Sequence, residues 1–289
     1  MNLRNEFLLK KIKFLTAMAI CLFLFSGPVL CEPIDKIETE STSEIGEWKR
    51  VFLASYSRSG NHWLRFLIEE ATHIATSSVY RDIDFKDEGR THMDKIFPWG
   101  GYCAENGYEG NCRYPDKDEV VVIKSHFPIF KGKSKKFAQQ PYLCAIRIVR
   151  HPIDSFYSHY ASINKHALAN NKKGLSEEKM EKFIFSQHDL ESYVESWREF
   201  QEHWNTQPSV VTIRYEDILR EPHYYLKMIL DLAKYEVTDE DITRAVAKYP
   251  PKGECMKHLN HYNQRGLQFI ETELGSLMNQ FNYTINGMY

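Results

Sequence analysis

Residues 51–65, VFLASYSRSGNHWLR, constrain this chain more than any other stretch. Val51, Phe52, Leu53 and Ala54 read as a strand buried on both faces, the near-continuous apolar run of a parallel sheet. A Ser/Arg/Gly turn follows, and an amphipathic helix opens directly after it. Gly60 permits the tight turn. The N–H groups from about Ser59 to His62 then point outward at a helix N-terminus, where dipole and donors both favour an anion. Arg58 adds a fixed positive charge and a planar donor fork. Strand, turn and helix together make a phosphate cradle. It differs from the GxxxxGK[ST] loop, which places a Lys and a magnesium-binding hydroxyl after its second Gly; here Asn61 and His62 follow Gly60. The expectation is a phosphate-bearing ligand handled without a metal.

Two further segments carry chemistry at the ends of apolar runs. Tyr142 to Val149, YLCAIRIV, reads as another buried strand and runs into Arg150, His151 and Pro152, where Pro suits the first turn of a following helix. Arg150 at the strand exit and Ser158 about two turns into that helix can converge on one phosphate. Glu119 to Pro128 reads EVVVIKSHFP: Val120 to Ile123 form the apolar run, and Lys124, Ser125 and His126 stand at its C-terminal end. Ligands of open α/β sheets bind outside the carboxyl ends of the strands. Lys124 and His126 lie on the same side of an extended chain and reach one site together.

The segments SYSRSGNHW, KSHFP and RHPIDSFYSHY resemble, in this order and spacing, the signature segments of PAPS-dependent sulfotransferases, PAPS being 3′-phosphoadenosine 5′-phosphosulfate. Ile213 to Leu219, IRYEDIL, is similar to a Tyr-Glu-Asp segment of that family, and the resemblance covers roughly residues 48 to 285. It implies a three-layer α/β fold, a central parallel sheet flanked by helices in the P-loop NTPase-like manner. It also implies roles. Arg58 contacts the 5′-phosphate; Ser59, Gly60, Asn61 and His62 cradle that phosphate and the transferring sulfuryl group. Trp63 stacks on adenine, Arg150 and Ser158 bind the 3′-phosphate, and Tyr215 lies near the purine. Lys124 and His126 match the catalytic Lys and His, with His126 as base. PAPS is then a co-substrate and no metal is needed. The chain departs from the family in having Arg58 where the cytosolic enzymes carry Lys, and in keeping only Lys252-Gly253 of the family's Arg-Lys-Gly loop.

Sulfuryl transfer moves the group in line from a phosphate oxygen to an acceptor oxygen or nitrogen, and positioning with charge stabilisation supplies most of the rate. A neutral imidazole is suited to take the acceptor hydroxyl's proton near pH 7. Plainer roles stand beside these. Trp63 shares a helix face with Phe66 and Leu67, and Tyr215 also fits packing between strand and helix. His151 and His159 read as solvated or capping residues, Ser55 and Ser57 as turn residues, Glu216 and Asp217 as N-terminal helix charges.

The 289 residues, less a leader, leave about 250, one sizeable α/β domain over 48–289. Helical patterns at Asn61 to Ile74, Ile153 to Ala169, Leu190 to Trp204, Asp217 to Lys234, Asp239 to Lys248 and Gly266 to Phe281 alternate with strand candidates, which argues for a parallel sheet. A net charge of -2 excludes a generally basic nucleic-acid binder. Lys10, Lys11 and Lys13 precede the uncharged run Phe14 to Leu30, broken by Gly27 and Pro28. Residues 1–31 therefore read as a signal peptide, or as an uncleaved signal anchor, followed by a short polar stalk over 32–47. Either places the domain in the secretory pathway, secreted or lumenal if cleaved and single-pass if not, with the leader as its one tie to the membrane. Cys103 and Cys112 bracket a Gly-rich loop and are expected to form a disulfide in an oxidising compartment. Cys144 reads as buried and inert in mid-strand, and no cysteine, histidine or carboxylate spacing marks a metal site. Arg81 to Asp118 is the expected acceptor-binding segment, for a hydroxyl on a carbohydrate, a protein tyrosine or a small molecule. The alternatives are a magnesium-dependent, kinase-like phosphotransferase and a non-catalytic binder of adenosine bisphosphate.

Overall fold

The computed structural model describes residues 51–79, 120–129, 142–169 and 172–288, all within the unit Trp48–Tyr289. The leader, the stalk, the Arg81–Asp118 segment and the Cys103–Cys112 pair lie outside the described residues. Strand β1 (Val51–Ser55) is buried along its whole length. Because side chains alternate along a strand, Phe52 and Ala54 enter one core while Val51 and Leu53 enter another. A strand that feeds two cores must lie inside a sheet covered on both faces.

It does. β1 is flanked by β3 (Ile123–Ser125) and β4 (Cys144–Val149), with β2 (Ser77–Ser78) and β5 (Val210–Arg214) outside them, in the order β2-β3-β1-β4-β5. All four pairings are parallel. On one face, α2 (Pro152–Ala169), α4 (Gln187–Asn205) and α8 (Gln264–Asn279) bury Phe156, Trp197 and Leu274. On the other, α1 (Asn61–Thr72), α6 (Pro222–Leu232) and α7 (Asp239–Lys248) bury Leu67, Ile229 and Ala245. Each fully buried Leu or Phe contributes about 1.5–3 kcal/mol. The short helices α3 (Glu177–Glu181) and α5 (Tyr215–Arg220), a 3-10 turn at Leu259–His261 and the hairpin β6 (Tyr283–Thr284) with β7 (Gly287–Met288) are the other elements among the described residues. Among the described residues no helix is long and apolar enough to cross a membrane.

The three-layer α/β arrangement is the expected one, and its details correct three expectations. The strand in EVVVIKSHFP is Ile123–Ser125, so Lys124 lies within it, paired in register with Leu53, rather than beyond its end. The helix expected over Asp217 to Lys234 is two. Glu221 leaves helical geometry at φ -129 and ψ 60, because Pro222 disfavours helical backbone in the residue before it and starts α6 afresh. Cys144 opens β4 instead of sitting within it and is half-buried; burial still raises its thiol pKa, which keeps it unreactive.

The winding locates the site. From β1 the chain goes to one side, returns through β3, and then crosses to β4 on the other side of β1. The crevice beyond the carboxyl ends of β1, β3 and β4 is thus the topological switch point. Register does the fine placement. Ser125 pairs with Ala54, so His126 falls beside Ser55; Ile148 pairs with Ser55, so Arg150 falls beside the turn after β1.

Candidate active site

The cradle is built as the sequence implies. After β1 the backbone turns through Arg58 at φ 63 and Gly60 at φ 88, both left-handed. For Arg58 that conformation costs about 1–2 kcal/mol, strain held by the surrounding packing at a ligand loop. Gly60 stands at the N-cap of α1, with no side-chain cap and no acid in the first turn. The first N–H groups of α1 are therefore presented to an anion. His62 is exposed there, and Trp63 is half-buried. Asn61 points inward instead, donating from Nδ2 to the Leu53 carbonyl at 3.3 Å and to Ser55 Oγ at 3.1 Å, which ties the helix start to the strand end. Its role is to brace the loop.

Arg150, Ser158 and Arg58 meet. Arg150 Nη1 donates to the Arg58 carbonyl at 2.8 Å, and Arg58 Nε donates to Ser158 Oγ at 3.2 Å. The Arg150 guanidinium lies 4.8 Å over the Tyr215 ring, and its nearest carboxylate oxygen, Asp154 Oδ2, is 4.0 Å away. The Arg58 pKa is lowered from its ordinary value, by partial burial first and then by the Arg150 charge. Two buried donors in this corner, Ser59 Oγ and Arg150 Nε, have no hydrogen-bond partner among the described residues. Buried donors are seldom left unpaired, and phosphate oxygens would satisfy both.

Tyr215, at the start of α5, is the platform under this corner. It is 8% exposed, and it meets Gly60, Trp63 and Arg150 at once: a Cβ on Gly60 would collide with its ring, and the Trp63 ring stands edge-on to it at 6.1 Å. Trp63 is also held by its Nε1–H, which donates to the Tyr249 carbonyl at 2.9 Å. Gly253, at φ 138, passes near the Tyr215 hydroxyl, so the Lys252-Gly253 segment does reach the site, with Lys252 exposed.

Lys124 and His126 stand across the crevice from Arg150. Lys124 is 5% exposed. His126 Nδ1 lies 2.6 Å from the Ser55 carbonyl. A carbonyl only accepts, so Nδ1 carries the proton and Nε2 is the basic nitrogen. Burial, and then the Lys124 charge, hold the His126 pKa well below 6.5. The imidazole is neutral at neutral pH, with its proton on Nδ1.

Several residues read as peripheral are structural parts of the site. His151 is fully buried, not solvated, and its Nε2–H donates to the Thr284 carbonyl at 2.9 Å. Glu216 is not simply a helix charge: it accepts from the His151 N–H at 3.0 Å and from the Tyr283 hydroxyl. These bonds staple the β6–β7 hairpin to the turn that carries Arg150. Asp154 accepts from the N–H groups of Met256 at 2.8 Å and His258 at 3.3 Å, pinning the chain after Gly253 onto α2. Its position one turn after Arg150 was the legible signal. Asp154, Glu216 and Cys255 bring ligand-type atoms within 4.8 Å of one another, but both carboxylates are engaged by these internal donors. His159 is half-buried beneath the cradle loop rather than solvated.

Comparison with known proteins adds a family. A family model described as the sulfotransferase domain matches residues 49–264. WSCD family member CG9164 of Drosophila melanogaster is 25% identical over 199 residues, covering 68% of this chain and 54% of that protein. WSCD family member AAEL009094 of Aedes aegypti is 25% identical over 206 residues, 68% of this chain and 54% of its own length. The chain thus spans about half the length of these relatives. Among solved structures, retinol dehydratase in complex with retinol and PAP is 16% identical, with a TM-score of 0.46 over 82% of this chain and 83% of that one. Mouse sulfotransferase SULT7A1 complexed with PAP is also 16% identical, with a TM-score of 0.46 over 80% and 85%.

Proposed function

The chain belongs to the sulfotransferase-domain family, and from that premise we propose that it transfers the sulfuryl group of PAPS to a hydroxyl of an acceptor, in line, without a metal and with His126 as base. One observation carries the reading: two arginines, Arg58 and Arg150, are held against each other at the switch point with unpaired buried donors beside them. Like charges kept together are a cost until an anion with more than one negative group sits between them. A nucleotide phosphorylated at both ends supplies that anion. Arg150 and Ser158 would take its 3′-phosphate. Arg58, Ser59, Gly60 and the N–H groups of Asn61 and His62 would take the 5′-phosphosulfate, with Trp63 and Tyr215 against the purine.

In the reaction the acceptor oxygen forms a bond to sulfur as the bond from sulfur to the 5′-phosphate oxygen breaks. The hydroxyl proton passes to His126 Nε2, and adenosine 3′,5′-bisphosphate (PAP) leaves with the electron pair. Lys124 and Arg58 offset the charge that gathers on the leaving phosphate oxygen. Arg81 to Asp118 is the segment proposed to hold the acceptor, and the basic and apolar leader is proposed to carry the domain into the secretory pathway.

A thermal-shift panel of PAP, ATP with Mg²⁺, and AMP tests the nucleotide. PAP alone should raise the Tm, since ligand at about 100 times its Kd adds about 2.7 kcal/mol. The shift should shrink in Ser158→Ala and vanish in Arg150→Ala. Stabilisation only by ATP with Mg²⁺ would instead support a phosphotransferase. Labelled PAPS with a panel of carbohydrate, peptide and small hydroxylated acceptors then tests transfer, and a protein that binds PAP but labels no acceptor would be a binding protein.

A further inference from the structure

His159 has no part in the roles above, yet its surroundings are those of a group that faces a ligand. It follows Ser158 on α2, so it is one residue from the hydroxyl that receives Arg58 Nε. Its ring stands edge-on to Tyr56, with centroids 6.1 Å apart at 84°, and to Tyr193 of α4, at 5.6 Å and 89°. Tyr56 belongs to the cradle turn, directly after the Ser55 carbonyl that orients His126. Two aromatic rings, Tyr56 of the cradle turn and Tyr193 of α4, thus fix the His159 ring beside the cradle turn.

The ring has a polarity. Nδ1 is buried and has no hydrogen-bond partner among the described residues. A buried N–H without an acceptor costs more than a lone pair without a donor, so the neutral ring keeps its proton on Nε2. Since the residue is half-buried with Nδ1 inside, the Nε2 edge is the one turned outward. Burial, and then the Arg58 charge, lower the His159 pKa to about 4, so the ring stays neutral near pH 7. The field of His159 also reaches His126. The crevice therefore holds two neutral imidazoles of opposite sense: His126 offers a lone pair at Nε2 and His159 offers an N–H.

Building on the sulfotransferase reading, we propose that His159 is a further sulfuryl-binding residue, whose Nε2–H donates to a non-bridging oxygen of the PAPS sulfuryl group. Those oxygens carry their charge in the bound ground state and do not gain more as the bond to phosphate breaks. The contact therefore holds the donor in place and contributes to PAPS binding more than to the chemical step. PAP lacks these oxygens, so the contact is a means of preferring the loaded nucleotide over the spent one.

The test needs no acceptor. Titration calorimetry of the full chain with PAPS and with PAP gives two Kd values and their ratio. His159→Phe, which keeps the aromatic packing but has no donor, should weaken PAPS about ten-fold and leave PAP within about two-fold. His159→Gln, with an amide N–H near the Nε2 position, should restore most of the PAPS preference. Equal weakening of both nucleotides in both variants would make His159 a packing residue and overturn the proposal, as would unchanged binding of both. Failure of the unaltered protein to bind either nucleotide would overturn the sulfotransferase reading itself, a result distinct from either.

Discussion

At the scale of single residues, the proposed chemistry rests on the protonation state of His126. An imidazole acts as a base only while neutral, and two features of the fold keep it so. Burial is the larger, and the Lys124 charge adds to it; together they hold the pKa well below 6.5. Since the lowered value belongs to the folded protein, the fraction of neutral base stays near one as the pH falls through 6.5 and drops only below that. The acid limb of kcat/KM against pH should therefore lie below the ordinary imidazole value. In Lys124→Met the limb should move upward, because one of the two causes is gone, while the rate itself falls because the cation that offsets the charge gathering on the leaving oxygen is lost. A limb at or above 6.5 in the unaltered protein would remove His126 as the base. His126→Asn, which can still donate to the Ser55 carbonyl, should reduce transfer by about 10²–10⁴-fold, the usual worth of a general base.

At the scale of elements, the unit from β1 through the turn to α1 was legible from sequence because each of its parts is local. The apolar run, the Gly and the polar helix start are contiguous, and no distant residue is needed to read them. Arg150 and Ser158 were legible for the same reason. β3 was legible as a strand but not in its bounds, because the apolar residues Val120 to Val122 precede it, and only the parallel register with β1 carries Lys124 into the sheet. His151 does cap α2, accepting from the Ile153 N–H at 3.4 Å, and Glu216 does stand in the first turn of α5. What the sequence did not show was their burial and further bonds, and the setting of His159, because the partners Thr284, Tyr283, Tyr56 and Tyr193 come from remote parts of the chain. Gly60 shows both kinds of information at once. Its turn is local, but the Tyr215 ring that fills the space of a Cβ is not. Gly60→Ala should cost about 1–3 kcal/mol in urea unfolding, from the left-handed backbone and the displaced ring, and should abolish the PAP-induced thermal shift. Gly275→Ala is the control within a helix: its Cβ would meet only Glu271 Cγ at 3.9 Å, so it should stabilise α8 by roughly 0.5–1 kcal/mol and leave nucleotide binding unchanged. Equal effects at the two glycines would contradict the packing described for the cradle.

At the scale of the whole molecule, the same burial that tunes the site sets how stability varies with pH. His126, His151, His159, His203 and His258 all have lowered pKa values, with burial the first cause in each, and His159 and His258 fall to about 4. Between those folded values and the unfolded value near 6.5, the unfolded chain binds protons that the folded chain does not. Stability therefore rises with pH across that window, is fully present above about 6.5, and is lost on acidification towards 4. Glu216 runs the other way. Burial raises its folded pKa above the ordinary carboxyl value, so its contribution is present below that value and is lost as the pH climbs through the raised one. Among the described residues it is a single group set against five in this pH range, so the imidazoles decide the sign. Each fully buried ring adds at most about 1.4 kcal/mol per pH unit, and rings half open to solvent add less. Urea unfolding from pH 7 to pH 5 should accordingly show a falling midpoint at constant m-value, with net uptake of more than one proton on unfolding. His159→Phe removes one of these rings from the linkage, so its slope should be shallower than that of the unaltered protein. A midpoint that is flat or rising on acidification would mean that these imidazoles are charged in the folded state, which would also disqualify His126 as the base.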